Sequence, residues 1–128
     1  MSMQKLSDPV QLVLNIVIKI AESKKSENIR CFSVSEKMWM TDYILIVDIK
    51  NKIHGRGLCA DIKKKLSTLI PTLKTDAFYD DIHYSGGSTN DWIILDLNSI
   101  IVHCISDELN DYYKLDHLFE KYGVLFHI

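Results

Sequence analysis

Apolar positions recur along the chain in two rhythms, and the changes of rhythm mark the elements. From Val10 to Ile20 the apolar residues Val10, Leu12, Val13, Leu14, Ile16, Val17, Ile18 and Ile20 occupy most of a helical circumference. That predicts a helix to about Ser23, with Asp8 as cap, Pro9 at the first helical position and Gln11 at capping-box spacing. A helix this apolar packs on a sheet and keeps an excess that can serve as a contact face. After the polar run Glu22 to Asn28, the segment Ile29 to Ser35 alternates with period two, which predicts a half-buried strand. Glu36 to Thr41 carries exposed-looking Met38, Trp39 and Met40, and Asp42 to Val47 is then nearly all β-branched or aromatic, the pattern of a central strand covered on both faces.

Leu58, Ile62, Leu66 and Leu69 share one helical face beside Lys63, Lys64 and Lys65, predicting a helix over Gly55 to Ile70 that Pro71 ends. Asp76 and Asp80-Asp81 read as a loop, Ile82 and Tyr84 as a short strand, and Gly86 to Asn90 as a turn. Trp92 to Leu97 is apolar except at Asp96 and reads as another central strand; Asn98-Ser99 then joins it to Ile100–Ile105 as a tight hairpin. Ser106 caps a last helix from Asp107 to about Tyr122, stopped by Gly123, and Val124 to Ile128 forms either a flexible tail or an edge strand. The order α-β-β-α-β-β-β-α implies one α/β domain spanning 1–128, a mixed sheet of about five strands flanked by helices.

Composition adds little to this picture until it is split. The 128 residues are 47% hydrophobic and 25% charged, ordinary for one globular domain, and the net charge is −2. Residues 1–75, however, hold 13 basic and 7 acidic side chains, whereas 76–120 hold 1 basic and 10 acidic. The second part would be repelled by bare phosphate and suits a basic protein partner. Cys31, Cys59 and Cys104 form no CxxC pair, so neither a disulfide framework nor a zinc site is expected, and a reducing cytoplasm fits them best. The start lacks the order of a signal peptide, and no stretch is apolar enough to span a membrane.

Gly86-Gly87-Ser88 followed by Asp96-Leu97-Asn98 has the outline of a nucleotidyltransferase signature, which needs two carboxylates on one strand face to hold Mg²⁺. Asn98 stands where the second acid belongs, and the seven residues between leave no room for a phosphate-binding helix. A turn before a strand is the better reading. Gly55-Arg56-Gly57 is too short a glycine pattern for a phosphate loop, and adjacent His103 and Cys104 point to opposite faces of a strand, so they cannot share a metal. No cofactor or metal is expected.

Thr41-Asp42-Tyr43-Ile44-Leu45-Ile46, Trp92-Ile93-Ile94-Leu95-Asp96-Leu97, Ile101-Val102-His103 and Tyr112-Tyr113-Lys114-Leu115-Asp116-His117-Leu118-Phe119, together with Ala60-Asp61, resemble the ribosomal silencing factor (Iojap) family in order and spacing over most of residues 8–120. Departures are Ser85-Gly86 for the usual Glu-Gly, Asn110 for an Arg, Phe119 for a Trp, and a poorly kept stretch around Lys52 to Gly57. The resemblance implies a nucleotidyltransferase-like topology without the catalytic acids, and a repressor rather than an enzyme. It implies binding to the large ribosomal subunit through its protein fourteen, which blocks subunit joining when nutrients are short. It also implies contact through Tyr43, Trp92, Asp96, His103, Tyr113 and Lys114. Organelle relatives assist large-subunit assembly, which is the alternative role; a metal-dependent nucleotidyltransferase is the enzyme alternative. The basic first part would then face nearby ribosomal RNA, and a homodimer through the apolar first helix is left open.

Overall fold

A computed structural model describes residues 8–34, 41–120 and 124–127. Its elements are α1 (Pro9–Ser23), β1 (Ile29–Ser33), β2 (Tyr43–Ile49), α2 (Lys52–Leu73), β3 (Phe78–Gly86), β4 (Trp92–Asn98), β5 (Ile100–Ser106), α3 (Asp107–Tyr113), α4 (Leu115–Glu120) and β6 (Val124–His127). The strands form one mixed sheet in the order β3-β4-β5-β2-β1-β6. β2 and β5 run parallel, while β1–β2, β1–β6, β3–β4 and β4–β5 are antiparallel. The tail therefore lies as a strand beside β1, the sixth of a sheet expected to have about five.

Period-two alternation in the middle strands feeds two cores. Leu45, Val47 and Ile49 of β2 and Ile100, Val102 and Cys104 of β5 join α1 and α2 on one face. Ile44, Ile46 and Ile105 meet Leu115 and Phe119 of α4 on the other. β1 also feeds both, with Cys31 on the first face and Phe32 on the second, so it is buried on both sides rather than half-buried.

Several boundaries differ from the sequence expectation, each for a tertiary reason. Asp8 caps α1 by accepting from the Val10 N–H at 2.9 Å, but Gln11 does not close a capping box: its side-chain amide donates to the Tyr43 hydroxyl at 2.6 Å. α2 begins at Lys52, because Asn51 accepts from the His54 N–H and Asp91, from the β3–β4 connection, accepts from the Lys52 N–H at 2.7 Å. It also runs through Pro71 to Leu73, since a proline in the last turn removes only one backbone hydrogen bond, and ends at left-handed Lys74 (φ 49°). β3 takes in Tyr79–Asp81, which read as a loop; on an edge strand these acids face solvent and discourage pairing with another chain. The last helix is broken at Lys114 (φ 53°) into α3 and α4. Segment 35–40, with Met38, Trp39 and Met40, and residues Lys121 and Gly123 lie outside the described residues.

Two glycines test the turn and helix chemistry in opposite directions. Gly86 ends β3 at φ 90°, and a Cβ there would stand 2.3 Å from the Trp92 carbonyl oxygen. Gly86→Ala is expected to destabilise by about 2–3 kcal/mol. A Cβ added at Gly57, inside α2, would meet nothing within 4 Å. Gly57→Ala should stabilise by about 0.5–1 kcal/mol through helix propensity. Urea midpoints of the two variants check both; a neutral Gly86→Ala would contradict the strained geometry.

Candidate functional site

The site grows from the β4–β5 hairpin. Asn98, at φ 85°, makes the tight turn, and the Asp96 carboxylate accepts from the Asn98 N–H at 2.9 Å, an Asx-type bond that closes it. The resulting register sets Trp92 opposite Ile105, Ile94 opposite His103 and Asp96 opposite Ile101. Side chains of Trp92, Ile94, Asp96, Ile101 and His103 thus share the sheet face that α3 and α4 cover over β1, β2, part of β5 and the Trp92 end of β4. β4 is paired on both edges but not covered on both faces: Ile94 and Ile101 are half-buried and Asp96 is exposed.

An aromatic run crosses this face from solvent to core. Tyr112 meets Tyr113 edge-on with centroids 4.9 Å apart, Tyr113 meets Trp92 at 5.2 Å, Trp92 meets His103 at 6.0 Å, and His103 meets Phe119 at 5.9 Å. Tyr112 is 77% exposed and Tyr113 55%, whereas His103 is buried. The Trp92 indole N–H donates to His103 Nδ1 at 3.2 Å, so that nitrogen carries no proton and the ring is the neutral Nε2–H tautomer. Burial agrees, lowering the His103 pKa to about 4.

The sign of that shift gives a pH dependence. An unfolded His103 takes a proton below its ordinary value of 6.5, while the folded one resists to about 4, so the unfolded state binds more protons between these values. His103 therefore contributes nothing unfavourable above pH 6.5, and lowers stability by on the order of 3 kcal/mol as pH falls to about 4. His103→Gln keeps an acceptor for Trp92 and should flatten this part of the curve; parallel wild-type and variant curves in urea unfolding from pH 7 to 4 would contradict it.

A buried charge network holds the helical end of the site. Arg30 on β1 is 5% exposed; its Nε donates to Asp116 at 2.7 Å and its Nη1 to Asp48 at 3.0 Å. Asn110 of α3 donates to the second Asp116 oxygen at 3.0 Å. Burial raises the Asp48 pKa against the opposing pull of Arg30. Asp116 thereby ties α3 and α4 to β1, and the break at Lys114 turns Leu115 and Phe119 into the core while leaving Tyr112 and Tyr113 outside.

Of the six residues expected to make contact, the structure brings Trp92, His103 and Tyr113 together, with Asp96 farther along the same face of β4. Lys114 is exposed at the α3–α4 break. Tyr43 is not with them: it packs on the α1–α2 face, its hydroxyl on Gln11, and burial raises its pKa. Sequence reasoning missed the Arg30, Asp48, Asp116 and Asn110 network; the one signal was an arginine and an aspartate inside otherwise apolar strands.

Gly86 and Gly87, both at positive φ, form the β3–β4 turn, and Asp96 serves its own hairpin. A crevice of about 580 Å³ opens at the carboxyl ends of β2 and β5, where open α/β sheets commonly take ligands. Its His54 already accepts from the Lys50 N–H and donates to the Lys24 carbonyl, and its Asp91 caps α2. Among the described residues no group of three His, Cys, Asp or Glu could hold a metal ion, and no helix is long and apolar enough to cross a membrane.

Two solved structures share the fold. A Chromobacterium violaceum protein superposes with a TM-score of 0.74 at 18% identity, covering 88% of each chain. A Bacillus halodurans protein gives 0.71 at 18%, covering 91% of this chain and 98% of that one. No curated protein sequence matches. The family model for the ribosomal silencing factor during starvation, RsfS, matches residues 7–124, which include every element up to the first residue of the last strand, and on that match the chain belongs to the RsfS family.

Proposed function

We propose that this chain represses translation in the cytoplasm by occupying the large ribosomal subunit, through its protein fourteen, where the small subunit must join. The contact is the open sheet face, with Trp92 and Tyr113 as anchors, Asp96 and Lys114 at the border, and His103 holding Trp92 in place from beneath. Tyr43, on the opposite face, is left out of this contact. Membership of a family of ribosomal silencing factors supports the reading. The observation that carries it is the Tyr112–Tyr113–Trp92 cluster, exposed at both tyrosines and half-buried at Trp92, beside a run of acids: Asp107, Glu108 and Asp111 lie on α3 without a basic residue. Aromatic anchors surrounded by charge are the pattern of an interface, and ribosomal proteins, which sit on RNA, supply the complementary basic surface. Binding alone suffices; no turnover is required.

Purified protein should pellet with isolated large subunits and slow their joining to small ones. Pelleting with small subunits only, or with neither, would remove the proposal. Binding that leaves joining unaffected, with immature large subunits accumulating on deletion, would replace repression by assembly.

A further inference from the structure

The face opposite the aromatic site carries an apolar stripe that the fold covers only in part. α1 packs Val13, Leu14, Val17 and Ile18 into the core, and Leu12, Ile16 and Ile20 follow one another at i, i+4 and i+8 along its border, Leu12 exposed and the two isoleucines resting on the core while staying half-exposed. Leu12 is 37% exposed, and Ile16 and Ile20 line an open cleft of about 580 Å³ between α1 and α2. Lys19 of α1 and Lys64 and Lys65 of α2 border that cleft. Its one acid, Asp61, is paired with Lys24 at 2.8 Å, whereas none of the ion pairs among the described residues involves the three lysines.

From this geometry we infer that the α1–α2 cleft is a docking groove for an acidic amphipathic helix of a partner protein. A helix lays its apolar side along such a groove and reads it at i, i+3 and i+4 spacing, while carboxylates along its flanks meet the lysine border. RNA fits less well, because phosphates reward the lysines but gain nothing from covering Ile16 and Ile20. A second copy fits less well too: a two-fold contact through the same cleft sets Lys19, Lys64 and Lys65 against themselves. The groove and the aromatic site lie on opposite faces of the sheet, so both can be filled at once, and a helix docked here would enlarge the body held on the ribosome.

Two-dimensional NMR of the full chain tests this with a synthetic peptide of about eighteen residues, five helical turns, carrying leucines on one face and glutamates elsewhere. A counterpart with lysine for every glutamate and a short RNA duplex serve as comparisons. The acidic peptide should saturate shifts at Leu12, Ile16, Ile20 and Lys64, and the triple variant Lys19→Glu, Lys64→Glu, Lys65→Glu should weaken it about tenfold or more. These three side chains are on the rim, and an unchanged thermal midpoint shows that the variant folds. Equal binding of the lysine peptide, shifts confined to the Trp92 face, saturation by RNA alone, self-association through the cleft, or no shift at millimolar peptide would each overturn the inference. The triple variant should still pellet with large subunits; failure of the wild type to pellet counts against the proposed function and leaves the groove result standing.

Discussion

Trp92→Ala is expected to weaken binding to large subunits by about 2 kcal/mol or more, roughly thirtyfold, beyond what its loss of folded protein explains. Trp92 is the member of the aromatic run that is both reachable from solvent and held on two sides, from below by its N–H on His103 at 3.2 Å and from the solvent side by the Tyr113 ring at 5.2 Å. A rigid aromatic costs little conformational entropy to bury, which is why such residues dominate interface energies. Tyr112→Ala, at the most exposed end of the run, should cost less, because that ring is supported only from the Tyr113 side. Asp96→Asn separates the interface charge from the hairpin: its amide oxygen still accepts from the Asn98 N–H, so stability should hold while affinity at low salt declines. The measurement is cosedimentation across a salt series, with circular dichroism as the folding control. Unchanged affinity of Trp92→Ala would move the interface off this face.

Arg30→Met is the substitution expected to cost most in stability, about 3 kcal/mol or more. Removing one partner of a buried ion pair leaves the others uncompensated, and Arg30 serves two carboxylates at once. Asp48 already has a raised pKa from burial, and loss of the guanidinium raises it further. A carboxyl whose folded pKa lies above its unfolded one takes up a proton on folding, so the variant's deficit should be largest near neutrality and shrink toward pH 4. Arg30→Met combined with Asp48→Asn should recover part of the loss at neutral pH. Urea unfolding at pH 7 and at pH 4.5 reads both; a deficit independent of pH would mean that Arg30 acts through packing alone. Because Asp116 ties α3 and α4 to β1, the single variant should also bind large subunits less well than its folded fraction explains.

The framework was legible because its signals are local. Asp8-Pro9 announces α1, the apolar, mostly β-branched run at 44–47 announces a strand buried on both faces, and Asn98-Ser99 announces a hairpin, each through chemistry within a few residues. The boundaries that differed depend on distant partners. α2 starts early because Asp91 reaches its first N–H, and the last helix breaks because Asp116 must meet Arg30, 86 residues away in the chain. Motif order marked Trp92, His103 and Tyr113, which the structure brings into ring contact; periodicity alone places Tyr43 no differently from them. Asp96 looked like an anomaly in a central strand, and it is one because its end of β4 stands exposed beyond Trp92, where α3 meets the strand.

By itself the sequence determined the element order as far as the last helix, the family and the separation of charge into a basic first part and an acidic second one, since all three are written in residue types and spacings. Whether those parts form separate surfaces was decided by the sheet. α1 and α2 lie on one face, and α2 carries Arg56, Lys63, Lys64 and Lys65; α3 and α4 lie on the other, beside Trp92 and Asp96. The physical reason is the two-residue period of a strand: one step along β2 separates Tyr43 from Ile44 by the full thickness of the sheet. Sequence neighbours are thereby sent to opposite surfaces, and residues as distant as Trp92 and Tyr113 are brought into ring contact.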